Sequence, residues 1–184
     1  MGELPKISIL IAVDDHPPDL DRFFAALTGQ TLPPVDYEVI LIDASLTDDY
    51  GPAYERAMAS KRAGLRLHYE RMEKGSRARS LNRGLQLARA PLVLFLAHDS
   101  LATPRITDTH IRFHEQNPER HKVGIGSMIF SKTFRTHFSA WLEGSGELFG
   151  VPFSDDMNSV PKKFLLRRQC IGQAEFFARS RSVR

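Results

Sequence analysis

The sequence predicts an α/β fold: a mostly parallel central sheet with helices on both faces. Three observations predict it. Short apolar runs at Ile7–Val13, Val39–Ile42 and Leu92–Leu96 lack polar alternation, as strands covered on both faces do. Stretches with helical spacing of apolar residues lie between the runs. Acidic residues follow the runs directly: Asp14 and Asp15, Asp43, and Asp99. Alternating strands and helices imply parallel neighbours, and parallel strands bring their carboxyl ends to one rim, where ligands of open α/β sheets bind.

The first strand, Ile7–Val13, is rich in β-branched residues and stops at the breaker cluster Asp14-Asp15-His16-Pro17-Pro18. Asp19 is placed to cap a helix carrying Leu20, Phe23, Phe24 and Leu27 on one stripe, and Gly29 ends it. Thr31–Asp36, with Pro33-Pro34, is a loop before the second strand. A helix is expected from about Pro52 to Ala63, followed by a strand in which Leu65, Leu67 and Tyr69 alternate with polar residues. Lys74-Gly75-Ser76-Arg77 opens the next helix, with Ala78, Leu81, Leu85 and Ala88 expected on its buried stripe. Pro91 can begin a strand but not sit inside one, so the central strand starts at Leu92. Thr103-Pro104 is expected to cap a helix bearing Ile106, His110 and Phe113, with His110 packed rather than ligating. Val123–Ile129 reads as a strand interrupted by Gly124 and Gly126. Beyond Ser131 the pattern loosens to a short helix near Phe138, Trp141 and Leu142, then a glycine-rich loop. One or two further strands are expected between Phe164 and Phe177. The expected division is therefore an α/β domain at 1–131 and a loop-rich region at 132–184 with a basic tail.

Composition narrows the class. The 184 residues are 42% hydrophobic and 26% charged, an ordinary globular balance with room for a real core. Cys170 is the only cysteine, so no internal disulfide is available and a reducing, cytoplasmic location is expected. No secretory signal is evident, and the longest apolar stretch, Pro91–Ala97, is too short to span a bilayer. The net charge of +3 is uneven: residues 162–184 sum to +6 and the remainder to −3. Such a tail can attract nucleic acid or anionic lipid, but no groove-reading motif accompanies it, so no nucleic-acid partner is expected.

The acids at the strand ends suit a cation, acid/base work or ribose contacts. On position alone, the plain alternative for Asp99 is to cap the turn with Ser100 or Thr103. Arg77 and Arg79 lie on the first turns of a helix, where the dipole also favours anions. Carboxylates and arginines on one rim suit a metal-diphosphate ligand, although each arginine alone is the mark of a solvated helix face. No G-x-G-x-x-G, G-x-x-x-x-G-K-[ST], G-x-S-x-G, H-E-x-x-H or paired C-x-x-C motif is present.

Four stretches in order resemble the nucleotide-sugar-binding half of family 2 glycosyltransferases, which have the GT-A, Rossmann-like fold. Ile7 to His16, with Leu27 and Gln30, resembles the opening "SIIIPTYNR…L…Q". Tyr37 to Asp48 resembles "YEIIVVDDGSTD", and Lys74-Gly75 through Leu81-Asn82-Arg83-Gly84-Leu85 with Ala88 resembles "KG…LNxGLxxA". Leu94 to Ser100 occupies the place of the strand that ends in an Asp-x-Asp metal motif.

The resemblance implies a nucleotide-diphosphate sugar donor, Mg²⁺ or Mn²⁺, and inverting transfer to a saccharide or lipid-linked acceptor, as in cell-envelope polysaccharide assembly. It implies that Asp43 contacts the nucleoside, that Ala12 and Asp14 line the base pocket, and that Lys74 to Asn82, with Arg77 and Arg79, lies near the base and diphosphate. Asp99 would hold the metal, and His98 would bind metal or touch ribose.

The departures from the family pattern are specific. Ala44 replaces the second acid of the "DDGS" stretch, and the Asp-x-Asp is reduced to Ala97-His98-Asp99. The family's catalytic base lies in a Glu-Asp motif downstream of the region matching Gln173 to Arg179, and no such motif follows here. The catalytic residue is thus unassigned, and a truncated piece of a larger enzyme is expected, located in the cytoplasm or at the membrane surface. The alternative is an inactive GT-A-like binding or scaffolding module.

Overall fold

The structure, a computed structural model, describes residues 3–13, 20–45, 55, 66–119, 122–126, 130, 135–145 and 170–173. Strands β1 (Ile7–Val13), β2 (Tyr37–Asp43), β3 (Arg66–Arg71), β4 (Leu92–Ala97), β5 (Gly124–Ile125) and β6 (Cys170–Gln173) form one sheet in the order β3-β2-β1-β4-β6-β5. The helices are α1 (Leu20–Thr28), α2 (Arg77–Leu87), α3 (Ile106–Gln116) and α4 (His137–Ser145), with a 3-10 turn at Pro34–Asp36. β1 pairs in parallel with β2 and β4, and β2 in parallel with β3. Internal contacts divide the chain into two compact units, residues 1–124 with 171–184 and residues 125–170.

Every residue of β1 and β2 is buried because helices cover both faces. Alternation sorts their side chains. Ile7, Ile9, Ile11 and Val13 of β1, with Val39 and Leu41 of β2, pack with Phe23, Phe24 and Leu27 of α1 and Ile106 of α3. Leu10, Ile40, Ile42 and Val93 face the other way and meet Leu85 and Leu87 of α2. Gly84 lets α2 come close: a Cβ there would lie 3.1 Å from Leu10 Cδ2. Ser80 and Gly84, rather than Ala78, are the buried residues of α2, and Ala78 is exposed. The sequence pattern marked apolar residues, whereas close approach to the sheet selected small ones.

Two polar ties fix the connections. Gln30, fully buried, donates through Nε2 to the Ala26 and Thr103 carbonyl oxygens at 2.9 and 3.0 Å. Its Oε1 accepts from Thr107 N and Oγ1 at 3.4 and 3.2 Å, so one amide joins α1 to the start of α3. At the other tie, Ser8 Oγ donates to Glu38 Oε1 at 2.6 Å, and that oxygen also accepts from Arg89 N at 2.8 Å. This holds the α2–β4 connection against the start of the sheet.

Other expectations shift in detail. Helix α3 begins at Ile106 after Arg105, with no side-chain cap from Thr103. Its buried line includes His114 as well as His110. β5 is two residues long, and positions 127–129 lie outside the described residues, as do Asp14, the Asp19 cap, the body of the 52–63 helix and most of 146–184.

Candidate functional site

Register decides which residues share the rim. Val13 is level with Asp43, and Ala12 with Ile42 and Ala97. Asp43 and Asp99 therefore emerge at the same edge, with β1 between their strands, a lateral separation of about 10 Å from two strand spacings. β3 also ends at this edge, level with Asp43 at Arg71. The chain then runs through Met72–Ser76 into α2, which returns toward the start of β4. The N-terminus of α2, with Arg77 and Arg79, consequently opens onto the rim that holds Asp43 and Asp99.

Asp43 has no exposed surface. Its Oδ1 accepts from Ser45 N at 2.9 Å and Ser45 Oγ at 2.6 Å, and its Oδ2 accepts from Tyr69 Oη at 2.6 Å. Tyr69 lies opposite Leu41 in the ladder and thus diagonally next to Asp43 on the same sheet face. Burial, then the bond to Asp43 and its charge, raise the Tyr69 phenol well above its usual range, so it stays a donor at any physiological pH. The Asp43 carbonyl accepts from Met72 N at 2.7 Å, and Ala44 N donates to the Val13 carbonyl at 2.8 Å. The Asp43 carboxylate thus organises the ends of β2 and β3 from inside. Ala44, where the family pattern carries an acid, is buried.

Asp99 is the opposite case. It is exposed in the turn after β4, and no hydrogen bond or ion pair to its carboxylate occurs among the described residues. The turn is closed without it: Ser100 N and Oγ both donate to the Ala97 carbonyl, at 3.2 and 2.9 Å. Asp99 does not serve as the cap that was its plain alternative. His98 beside it is half-buried. Arg77 and Arg79 are exposed, with no partner for either guanidinium among the described residues. Ser76 caps the helix, its Oγ accepting from Arg79 N at 3.3 Å, and the Arg79 side chain lies over Gly75. Asn82 is exposed further along α2, and Ala12 is buried below the rim. Asp14 lies outside the described residues.

No group of three or more His, Cys, Asp or Glu side chains placed to hold a metal occurs among the described residues. Mg²⁺ and Mn²⁺ bound together with a diphosphate need only one or two carboxylates, the remaining ligands being phosphate oxygens and water. The exposed carboxylate of Asp99 fits that donor set. No described helix is long and apolar enough to cross a membrane.

The sequence pattern did not single out Tyr69 or Ser45. Ser45 follows Asp43 by two, the spacing of an Asx turn, which is a local signal. Tyr69 is brought to Asp43 only by the β2–β3 register, which no local pattern displays.

Comparison with known proteins bears on the family and the fold. A 130-residue stretch is 33% identical to validoxylamine A glucosyltransferase from Streptomyces hygroscopicus subsp. limoneus, covering 68% of this chain and 27% of that protein. The fold matches residues 1–349 of TarS from S. aureus in complex with UDP, with a TM-score of 0.70, 16% identity, and coverage of 96% of this chain and 49% of that one. It also matches the mannosyltransferase PcManGT from Pyrobaculum calidifontis in complex with GDP-Man and Mn2+, with a TM-score of 0.59 and 17% identity over 70% of this chain and 36% of that one. The chain thus spans about a quarter of the curated relative and half or less of these solved chains. The fold is GT-A. The family model described as glycosyl transferase family 2 matches residues 8–173, nearly the whole length, and the chain belongs to that family.

Proposed function

We propose that this chain is the donor-binding portion of a glycosyltransferase that moves a sugar, with inversion, from a nucleotide diphosphate to a saccharide or lipid-linked acceptor. One observation carries the reading. The rim where β1, β2, β3 and β4 end presents an exposed carboxylate, Asp99, on the same edge as two guanidinium groups at a helix N-terminus, Arg77 and Arg79, none of them with a partner among the described residues. That combination suits a diphosphate and the cation that accompanies it.

In this reading Arg77 and Arg79 attract the diphosphate, and the N-terminal peptide groups of α2 add partial positive charge. Asp99 holds Mg²⁺ or Mn²⁺, which supplies charge neutralisation for the departing diphosphate when bound. Ala12, Asp14, Asn82 and His98 line the nucleoside side. Asp43 acts on the nucleoside through Ser45 and Tyr69, by fixing the end of β2, because its oxygens already hold three donors. Residues 1–131 form the donor domain and 132–184 the acceptor side. A larger enzyme, cytoplasmic or at the membrane surface, supplies the base that accepts the acceptor's proton. Support comes from the family and from structural neighbours solved in complex with UDP or with GDP-Man and Mn2+.

Calorimetric titration with UDP- and GDP-sugars in the presence and absence of Mn²⁺ tests the reading. Expected is Mn²⁺-dependent binding of one donor, lost in Asp99→Ala. Absence of heat with every donor at millimolar concentration sinks it. A second reading, a binding module without turnover, is favoured by Ala44 and Ala97 standing where the family pattern has acids. Donor binding without transfer or hydrolysis by the longest natural form of the protein would select it.

A further inference from the structure

Apolar packing holds helix α2 to the sheet over its second half. Gly84 lies against Leu10 and Ile42, and Leu85, Leu87 and Ala88 pack on the same apolar cluster. Ser80 is buried, but Ser76, Arg77, Ala78 and Arg79 are all exposed. The turn that reaches the rim therefore projects beyond the apolar contacts of its own helix. Ser76 is about 12 Å along the axis from Gly84, so a tilt of about 10° there would move the first turn by about 2 Å. Apolar burial is non-directional and does not by itself fix such an angle.

A directional bond supplies what packing lacks. Arg83 donates from Nε to Glu70 Oε1 at 2.7 Å and from Nη2 to Glu70 Oε2 at 2.9 Å, a two-pronged pair. Glu70 is level with Ile42 in the ladder, so it lies on the sheet face that α2 covers. The fork is oriented from its own helix, where Arg83 Nη1 donates to Gln86 Oε1 at 3.4 Å. His68, two residues earlier on β3, places Nε2 3.6 Å from Glu70 Oε2. The bond to Arg83 holds the Glu70 carboxyl below the usual carboxylate range, so the pair stays charged at neutral pH. It joins residues 13 apart in the chain and encloses the Met72–Ser76 loop and the first turn of α2. The start of that loop is tied as well, with Met72 N donating to the Asp43 carbonyl at 2.7 Å.

We propose that Arg83 and Glu70 are positioning residues for the donor diphosphate: their two-pronged bond sets the angle at which α2 presents its first turn, with Arg77 and Arg79, to the rim. The proposal rests on the glycosyltransferase reading and adds to it two residues that act through the helix rather than on the ligand.

The sign of the Glu70→Gln effect separates positioning from plain electrostatics. Removing a negative charge near an anion site should by itself tighten binding, whereas loosening the helix should weaken it. UDP and GDP with Mn²⁺ are titrated calorimetrically into the full chain, and urea unfolding is followed alongside. Glu70→Gln and Arg83→Gln should each lower the affinity about tenfold, within the range for residues that act on a site without touching its ligand. The unfolding midpoint should stay close to wild type, because a half-exposed ion pair adds little to stability. Arg83→Lys keeps the charge without the fork and should lose about threefold. The exchanged pair, Glu70→Arg with Arg83→Glu, rebuilds the bond at constant net charge and should recover most of the affinity. Unchanged or tighter binding in Glu70→Gln overturns the proposal. So does an exchanged pair that folds, by far-UV circular dichroism, yet binds no better than Arg83→Gln. Loss of affinity matched by an equal loss of stability makes the pair structural and overturns it too. Should the exchanged pair not fold, wild-type affinity in Arg83→Lys has the same consequence. Nucleotide binding that is equal in wild type and every variant removes this proposal alone, and absence of binding by the wild-type chain removes the transferase reading with it.

Discussion

Replacing Asp43 by Asn keeps the shape of the side chain and removes its charge, which makes it a direct test of what this acid does. Three donors converge on the carboxylate, at 2.9, 2.6 and 2.6 Å, and it has no exposed surface. Hydrogen bonds to an ionised group contribute about 1.5–3 kcal/mol each, against about 0.5–1.5 for neutral pairs. Three such bonds lose roughly 3–4 kcal/mol together, and relief from burying a carboxylate returns roughly 1. The Asn amide group also brings hydrogens toward Tyr69 Oη, which is held as a donor, and one of the two must lose its partner. The net expectation is a loss of about 2–3 kcal/mol, or about 5–10 °C in Tm for a chain of this length. Urea unfolding followed by circular dichroism gives the loss. Nucleotide titration, corrected for the folded fraction, gives the effect on binding. Tyr69→Phe should cost about 1.5–3 kcal/mol, and the double variant less than the sum, because both act on one bond. Asp43→Asn with unchanged stability but lost nucleotide affinity would show that the carboxylate faces the ligand, and the account of Asp43 as an internal organiser would be wrong.

Burial, with a smaller contribution from His114, lowers the His110 imidazole from 6.5 to about 4. The unfolded chain then takes up a proton that the native state refuses, so stability falls as pH drops from about 6.5 to about 4 and this contribution is constant below; the shift corresponds to roughly 3 kcal/mol at most. His110→Gln should flatten that part of the urea-midpoint profile, and parallel profiles would contradict it. Gly84→Ala adds a Cβ 3.1 Å from Leu10, which is itself 1% exposed and has no free side to move into. Overpacking of about 1–3 kcal/mol should outweigh the helix-propensity gain of about 1, and an equally stable variant would refute the close approach. Gln30→Ala removes the amide's bonds to the Ala26 and Thr103 carbonyl oxygens and to Thr107 N and Oγ1, for a loss of about 2–4 kcal/mol in thermal or urea unfolding. Gln30→Glu should be worse, because it sets a carboxylate against the Ala26 and Thr103 carbonyl oxygens.

Much of the sheet was legible because its signals are local. Ile7–Val13 and Val39–Ile42 are apolar in every position but Ser8, and strands buried on both faces demand that. The rim followed from the parallel order, since an acid after each of two parallel strands has nowhere else to go. Less legible were features that depend on distance rather than pattern. Ala78 belongs to the apolar stripe of α2 by spacing, yet it is exposed, because the helix buries Ser80 and Gly84 and meets Leu10 and Ile42 at Gly84. Gln30 matched a family position with no role attached, and only its contacts with Thr103 and Thr107, more than seventy residues away, show why an amide is required there.

The two acids at the rim show how far position alone can carry a functional reading. Asp43 and Asp99 have the same local sequence signature, a carboxylate just past an apolar strand. What separates them is the neighbour across the ladder. Asp43 has Tyr69 on an adjacent strand and Ser45 on its own loop, and both donors reach it. Asp99 follows a strand whose pairing with β1 ends at Ala97, and the turn after it is closed by Ser100 instead. Among the described residues, one acid is held by the protein and the other is exposed without a partner. Exchange of their roles by mutation should be impossible: Asp99→Asn should leave the unfolding midpoint near wild type and remove metal dependence, whereas Asp43→Asn should do the reverse. If Asp99→Asn unfolded as readily as Asp43→Asn, the exposed carboxylate would have a structural partner, and the division of labour along this rim would fail.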